Sequence, residues 1–181
     1  EGMKKLVQNK WIGEGYEYAA WPRLNGLAVP TMIIDATRGG VLPFNYLLED
    51  GQVQETDLAI IQERVTPLLV HLKVLVRNGK MQEAFNLIDR FKKDFILMFR
   101  RGVVEKDIGG ILANYGVDTT LRVFDLGDLS SSEMYAYGMT DDLFAINTYT
   151  AAALRSEVLP AVADHFWKHQ FRKADFYEKK G

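Results

Sequence analysis

The chain has no cysteine, so no disulfide can staple it, and its stability must come from burial and hydrogen bonding. An excess of charge is also missing: 22 Lys and Arg stand against 24 Asp and Glu, a net charge of −2. That balance argues against a dedicated nucleic-acid binder. No window approaches the roughly 18 uninterrupted apolar residues of a membrane span. Glu1-Gly-Met-Lys-Lys lacks the apolar core of a secretion signal. The expectation is a cytoplasmic protein with neither a nucleic-acid nor a membrane partner. Glu1-Gly2 ahead of Met3 fits a start at Met3 and equally a chain that begins further upstream.

What is there is ordinary globular material: 181 residues, 48% of them apolar, with no repeat and no linker long enough to divide the chain. One domain over residues 1–181 is expected. Thr31-Met-Ile-Ile-Asp-Ala and Val41-Leu-Pro-Phe-Asn-Tyr-Leu-Leu-Glu flank Thr37-Arg-Gly-Gly40, which reads as two strands joined by a glycine turn. Residues 55–78 carry Leu58, Ile61, Val65, Leu68, Leu72 and Leu75 at spacings of three and four. This predicts a helix capped by Thr56, kinked or split at Pro67 and ended by Gly79. Residues 82–100 repeat the pattern with Phe85, Ile88, Phe91, Phe95 and Met98.

Residues 111–117 and 120–125 are β-prone runs on either side of Asp118-Thr119, a predicted hairpin. After the serine-rich Ser130-Ser-Ser132, residues 141–173 read as helical with a break near Pro160. The predicted class is α+β with helix in excess.

The chemistry-bearing stretch is Gly102-Val-Val-Glu-Lys-Asp-Ile-Gly-Gly-Ile-Leu-Ala-Asn-Tyr-Gly116, followed by Leu121-Arg-Val-Phe-Asp-Leu-Gly127. Asp107, Asn114 and Asp125 stand in the order in which a phosphotransferase presents a catalytic base and two magnesium ligands. Phosphoryl transfer asks the protein for positioning and charge neutralisation more than for covalent chemistry. A loop carboxylate at 107 suits an acceptor hydroxyl. Asn114 and Asp125 offer the hard oxygens that magnesium prefers.

On these residues the chain resembles the protein-kinase-like superfamily, in particular the short, divergent bacterial members of the PhoP-regulatory-network (YrbL-type) kind. Val103-Val-Glu-Lys-Asp107 looks like the catalytic loop, and Asp125-Leu-Gly127 like the Asp-Phe-Gly element. Phe44-Asn-Tyr-Leu-Leu-Glu49 looks like the strand and hinge that hold adenine, through the backbone of Leu47, Leu48 and Glu49. Glu17 matches the glutamate that orders a phosphate-binding lysine, for which Lys5 is the candidate, with Lys4 and Lys10 as rivals. In a second alignment Ile12-Gly-Glu-Gly15 is the Gly-rich loop, and Pro30-Thr31 falls where the lysine should stand.

The resemblance implies a protein-kinase-like fold, with a small strand-rich N-terminal lobe and hinge over about residues 1–50 and a mainly helical C-terminal lobe over 51–181. It implies ATP and magnesium as cofactors, and transfer of the γ-phosphate to a protein or small-molecule hydroxyl. The departures support an alternative, a catalytically inactive, pseudokinase-like binding or regulatory module. Glu105-Lys106 replace the usual His-Arg, Leu112 stands where the asparagine is usual, and no complete Gly-rich loop precedes residue 17.

Three other features read as structural. His165 and His169 lie four apart without a third ligand, so a solvated helix face is expected. Phe85, Phe91 and Phe95 read as core, and Ser130-Ser-Ser132 as a flexible polar loop.

Overall fold

The computed structural model describes residues 22–35, 43–48, 50–56, 58–127, 129–131 and 133–177. Lys5, Glu17, Glu49 and the Gly13-Glu-Gly15 stretch lie outside the described residues, as does the predicted turn at Thr37-Arg-Gly-Gly40. The fold is a mixture of helices and small antiparallel sheets, with helix predominating.

The chain enters through a 3₁₀ turn, Pro22–Leu24, and runs into β1, Thr31–Asp35. The partner of β1 is β4, Leu58–Gln62, paired antiparallel with Thr31 opposite Gln62. Between them β2, Phe44–Leu47, and β3, Val53–Thr56, form their own hairpin. Both strands expected before residue 50 therefore exist, but β1 pairs with β4 and not with its immediate successor.

The helix expected from residue 55 begins only at Leu68. Residues 53–56 and 58–62 are strands, and Thr56 lies in one of them instead of capping a helix. Thr66-Pro67 explains the limit: proline pushes the residue before it into extended backbone, so Pro67 is a poor residue to helix through and a good one to start from. It forms β5, Thr66–Pro67, and is then the N-cap of α1, Leu68–Arg77. Gly79, with a φ of +70°, follows the C-cap at Asn78.

The core is the packing of α1 and α2, Met81–Arg100, against later elements. Leu68, Leu72 and Leu75 are the buried face of α1, and Ala84, Ile88, Phe91, Phe95 and Met98 that of α2. Phe91 meets the ring of Tyr115 edge-on at 5.0 Å, and Phe95 meets Phe171 at 5.0 Å. The expected aromatic stripe is thus core, with Phe85 only partly buried and stacked at 4.4 Å on His165. His165 also meets Asp89 at 2.9 Å, so it is a partnered, half-buried side chain and not a purely solvated one.

After α2 come four short strands: β6 (Val104–Glu105), β7 (Tyr115–Val117), β8 (Leu121–Val123) and β9 (Leu129–Ser130). The hairpin expected around Asp118-Thr119 is β7 with β8. β6 pairs with β9, so Ser130 is a strand residue where a loop was expected. The helical end comprises α3 (Glu133–Asp141), α4 (Leu143–Glu157), α5 (Pro160–Lys168) and α6 (Lys173–Phe176). The break before Pro160 is as expected, and α3 starts earlier than expected. No helix among the described residues is long and apolar enough to cross a membrane.

Backbone and side-chain bonds join the early segment to the helical body. Val29 N–H donates to Val123 C=O at 2.9 Å and Val123 N–H to Leu27 C=O at 2.8 Å, a parallel bridge centred on Ala28. The Gln62 amide donates to Phe124 C=O at 2.9 Å and to Thr31 Oγ1 at 3.0 Å.

Candidate functional site

The segment between β6 and β7 carries two of the three residues singled out by their order. β6 ends in Glu105, and the chain turns through residues 106–114 before re-entering a ladder at Tyr115. Asp107 is exposed in this turn, whereas Asn114 is 6% exposed and Glu105 only 2%. Glu105 is a carboxylate at the end of the apolar run Val103-Val104, and it must be hydrogen-bonded to sit there. Asn114 Nδ2 donates to its Oε2 at 2.9 Å, and Asp107 N–H donates to its Oε1 at 3.2 Å.

The β7–β8 hairpin brings Asp125 to the same place. Asn114 C=O accepts the N–H of Phe124 at 2.8 Å and that of Asp125 at 3.4 Å. Asp125 is half-buried and is followed by Leu126, which is fully buried and anchors the turn. Gly127 N–H donates to Asp125 Oδ1 at 3.1 Å, which holds that carboxylate in a local turn and leaves Oδ2 for another partner. Asp107, Asn114 and Asp125, scattered over nineteen positions, are thereby linked through Glu105 and the Asn114 backbone.

Two details set the chemistry of this group. A carboxylate accepts only, so the Asn114 amide must turn its nitrogen to Glu105, and Oδ1 is the end left to meet a cation. Asp107 Oδ1 accepts the N–H groups of both Gly109 and Gly110 at 3.1 Å. A Cβ at Gly110 would lie 2.3 Å from Asp107 Oδ2, so any larger residue there would displace that carboxylate from its turn. Behind the site, burial pushes the Tyr115 hydroxyl well above its ordinary range, with Glu105 and Asp94 adding to the effect. Burial also raises Asp94, against the opposing pull of Arg90, whose Nε lies 2.7 Å from it.

The other sequence candidates fall elsewhere. Leu47 ends β2 and is 72% exposed. Leu48 uses both backbone groups in the β2–β3 turn, its N–H donating to Gln52 C=O at 2.8 Å and its C=O accepting from Gly51 at 2.9 Å. The Leu47-Leu48 backbone is therefore in a hairpin rather than between strands and helices. Residues 63–65 join β4 to β5, the two-residue strand that leads into α1. In the second alignment, Thr31 starts β1 and its hydroxyl donates to Val29 C=O at 2.8 Å.

Glu105 is the residue that sequence reasoning missed. The signal was the one that singled out Asp125, an acidic residue closing an apolar β-prone run. Among the described residues no three His, Asp or Glu side chains are grouped to hold a metal, so a cation here would rest on Asn114 and Asp125 with its remaining positions filled by non-protein oxygens. Comparison with known proteins gives no matching family model, no similar curated protein and no similar solved structure.

Proposed function

We propose that the chain is a phosphotransferase of protein-kinase-like fold that uses ATP and magnesium to phosphorylate a hydroxyl of a protein or small molecule. The observation that supports the reading is the linked set of Asp107, Glu105, Asn114 and Asp125, in which residues ordered as a base and two metal ligands are joined by hydrogen bonds, those of Asp107 and Asp125 through their backbone N–H groups. Asp107 orients the acceptor hydroxyl and receives its proton. Glu105 is a positioning residue, fixing the Asn114 amide so that its oxygen is presented.

The donor set fits magnesium: one neutral and one anionic oxygen, each on a side chain already restrained by a hydrogen bond. Bound there, the ion would supply charge neutralisation to the phosphate oxygens. The strands β1 to β4 would form the smaller lobe and the helical body the larger. Adenine would lie against the backbone of residues 63–65, in place of Leu47, Leu48 and Glu49, with Glu17 and Lys5 retained as the proposed phosphate-ordering pair. Asp125→Ala should abolish binding of magnesium-ATP by calorimetry while leaving the protein folded, and unchanged binding would sink the assignment.

A specific observation favours a second reading, the catalytically inactive binding module. Asp107 already accepts two N–H groups from its own loop, and Glu105-Lys106 precede it in place of His-Arg. A thermal-shift assay separates the two. A magnesium-dependent rise in Tm with ATP favours the enzyme, and no rise favours the module.

A further inference from the structure

Of the large apolar side chains among the described residues, none is more exposed than Phe144, at 78%. It is the second residue of α4, and a ring of that size is ordinarily covered. Further along the same helix is an open, mostly apolar groove of about 590 Å³. Thr148, Ala151, Ala152 and Arg155 of α4 form one wall, and residues 164, 167 and 168 of α5 the other. A helix rises about 1.5 Å and turns about 100° per residue, so Ala151 and Ala152 lie about 10–12 Å beyond Phe144 on the same side. A protruding ring and a recess walled by small side chains thus share one face.

These features are placed symmetrically about Thr148. Phe144 and Ala152 stand four residues to either side of it, and Asp141 and Arg155 seven. A second copy of α4 laid antiparallel, with a two-fold axis at Thr148, sets Phe144 of each chain over Ala151 and Ala152 of the other. The same register brings each Arg155 to the end of the other helix where Asp141 lies, so the charges are complementary as well. Both side chains are exposed. Each has a partner within its own chain, Lys173 for Asp141 and Asp164 for Arg155, and each keeps bonding capacity beyond it, since a guanidinium has five N–H groups and a carboxylate about four acceptor positions. At the axis, Thr148 already donates its hydroxyl to Phe144 C=O at 2.8 Å, so covering it leaves no donor unmade.

We propose that this face of α4, with the groove it shares with α5, is a self-association surface whose partner is a second copy of the chain, docked antiparallel by mutual insertion of Phe144. A copy of this helix supplies the ring, the acidic end and the basic end at matching distances. One helix pair gives an interface at the low end for specific complexes, so the association is weak, with a Kd of about 10–100 µM. The inference stands whether or not the chain transfers phosphate.

Sedimentation velocity on the full chain, from about 5 to about 500 µM, should show the monomer giving way to a dimer. Phe144→Asp puts an acidic residue in the first turn of a helix, where it is well tolerated, so this variant should keep its Tm and stay monomeric throughout. Arg155→Glu and Asp141→Lys should each weaken association about tenfold, because each sets like charges against each other at both ends of the helix pair. Mixing those two variants should restore wild-type strength, since opposite charges then face each other at both ends. A wild-type chain that remains monomeric across the range would overturn the proposal. So would a dimer that survives Phe144→Asp, or a mixture that associates no more strongly than either charge variant alone.

Discussion

Asn114→Asp changes one atom of the site and tests whether Glu105 is an ionised anchor. In the native chain both Glu105 oxygens accept N–H donors, the nearer being Asn114 Nδ2 at 2.9 Å, and that is the pattern of a carboxylate. The substitution puts a second carboxylate oxygen in the place of the donor. Two unit charges at that separation repel by about 6 kcal/mol at an effective dielectric of 20, so the folded pair keeps one proton instead. Holding a proton on a group whose ordinary pKa is about 4 costs about 1.4 kcal/mol per pH unit above that value.

The loss relative to wild type is thus about 4 kcal/mol at pH 7 and about 1.4 kcal/mol at pH 5. The sign is fixed: the folded variant retains a proton that its unfolded chain releases, so its stability falls as pH rises. Urea denaturation at the two pH values measures this directly. Asn114→Ala serves as the comparison, losing about 2–3 kcal/mol at pH 7 with a shallower slope of the same sign, because the buried Glu105 loses a donor without gaining a facing carboxylate. Equal losses for Asn114→Asp at pH 5 and pH 7 would refute the claim that an ionised Glu105 faces residue 114.

Gly116→Ala should cost about 1–3 kcal/mol in urea, since the new Cβ would lie 2.4 Å from Val65 Cγ2 and 3.2 Å from Phe124 Cδ1. Val65→Ala should restore part of that loss in the double variant, and strict additivity would remove the steric explanation. Asn147→Ala should cost about 2–4 kcal/mol, because the buried amide both donates to Phe171 C=O and accepts from Phe171 N–H at 2.9 Å, leaving two buried backbone groups unpaired. A change in stability below about 0.5 kcal/mol would show that water replaces the clamp.

Legibility in the sequence followed how local each determinant is. The α2 helix was readable because its period-of-four aromatics and its burial coincide, and the β7–β8 hairpin because its turn residues sit between two β-prone runs. Residues 55–66 misled because Leu58, Ile61 and Val65 happen to fall at helical spacing. Their β-branched content and the proline after Thr66 favour extended backbone, and β1 supplies the partner. That partner lies outside any local window, whereas the glycines at 39 and 40 pointed to a nearer one. At the site, the order of Asp107, Asn114 and Asp125 was visible, but Glu105 takes its role from burial, which only the folded chain defines. Leu47 and Leu48 sit in a hairpin for a related reason, since the Asp50-Gly51 turn folds β2 back on β3 before β4 begins.

The bridge at Val123 bears on how the protein comes to fold. Asp125 is held two residues beyond a backbone that pairs with residues 27–29, and the neighbouring carbonyl of Phe124 is bound by Gln62, a closure of 62 positions. Such contacts return free energy only after long loops have closed, and they form slowly compared with α1 or α2. During synthesis, therefore, the helices can pair while the carboxylate at 125 is still unplaced. A chain halted at residue 120 would carry the α1–α2 contact surface together with Glu105, Asp107 and Asn114, and of the candidate site would lack only Asp125 and the β8 strand that places it.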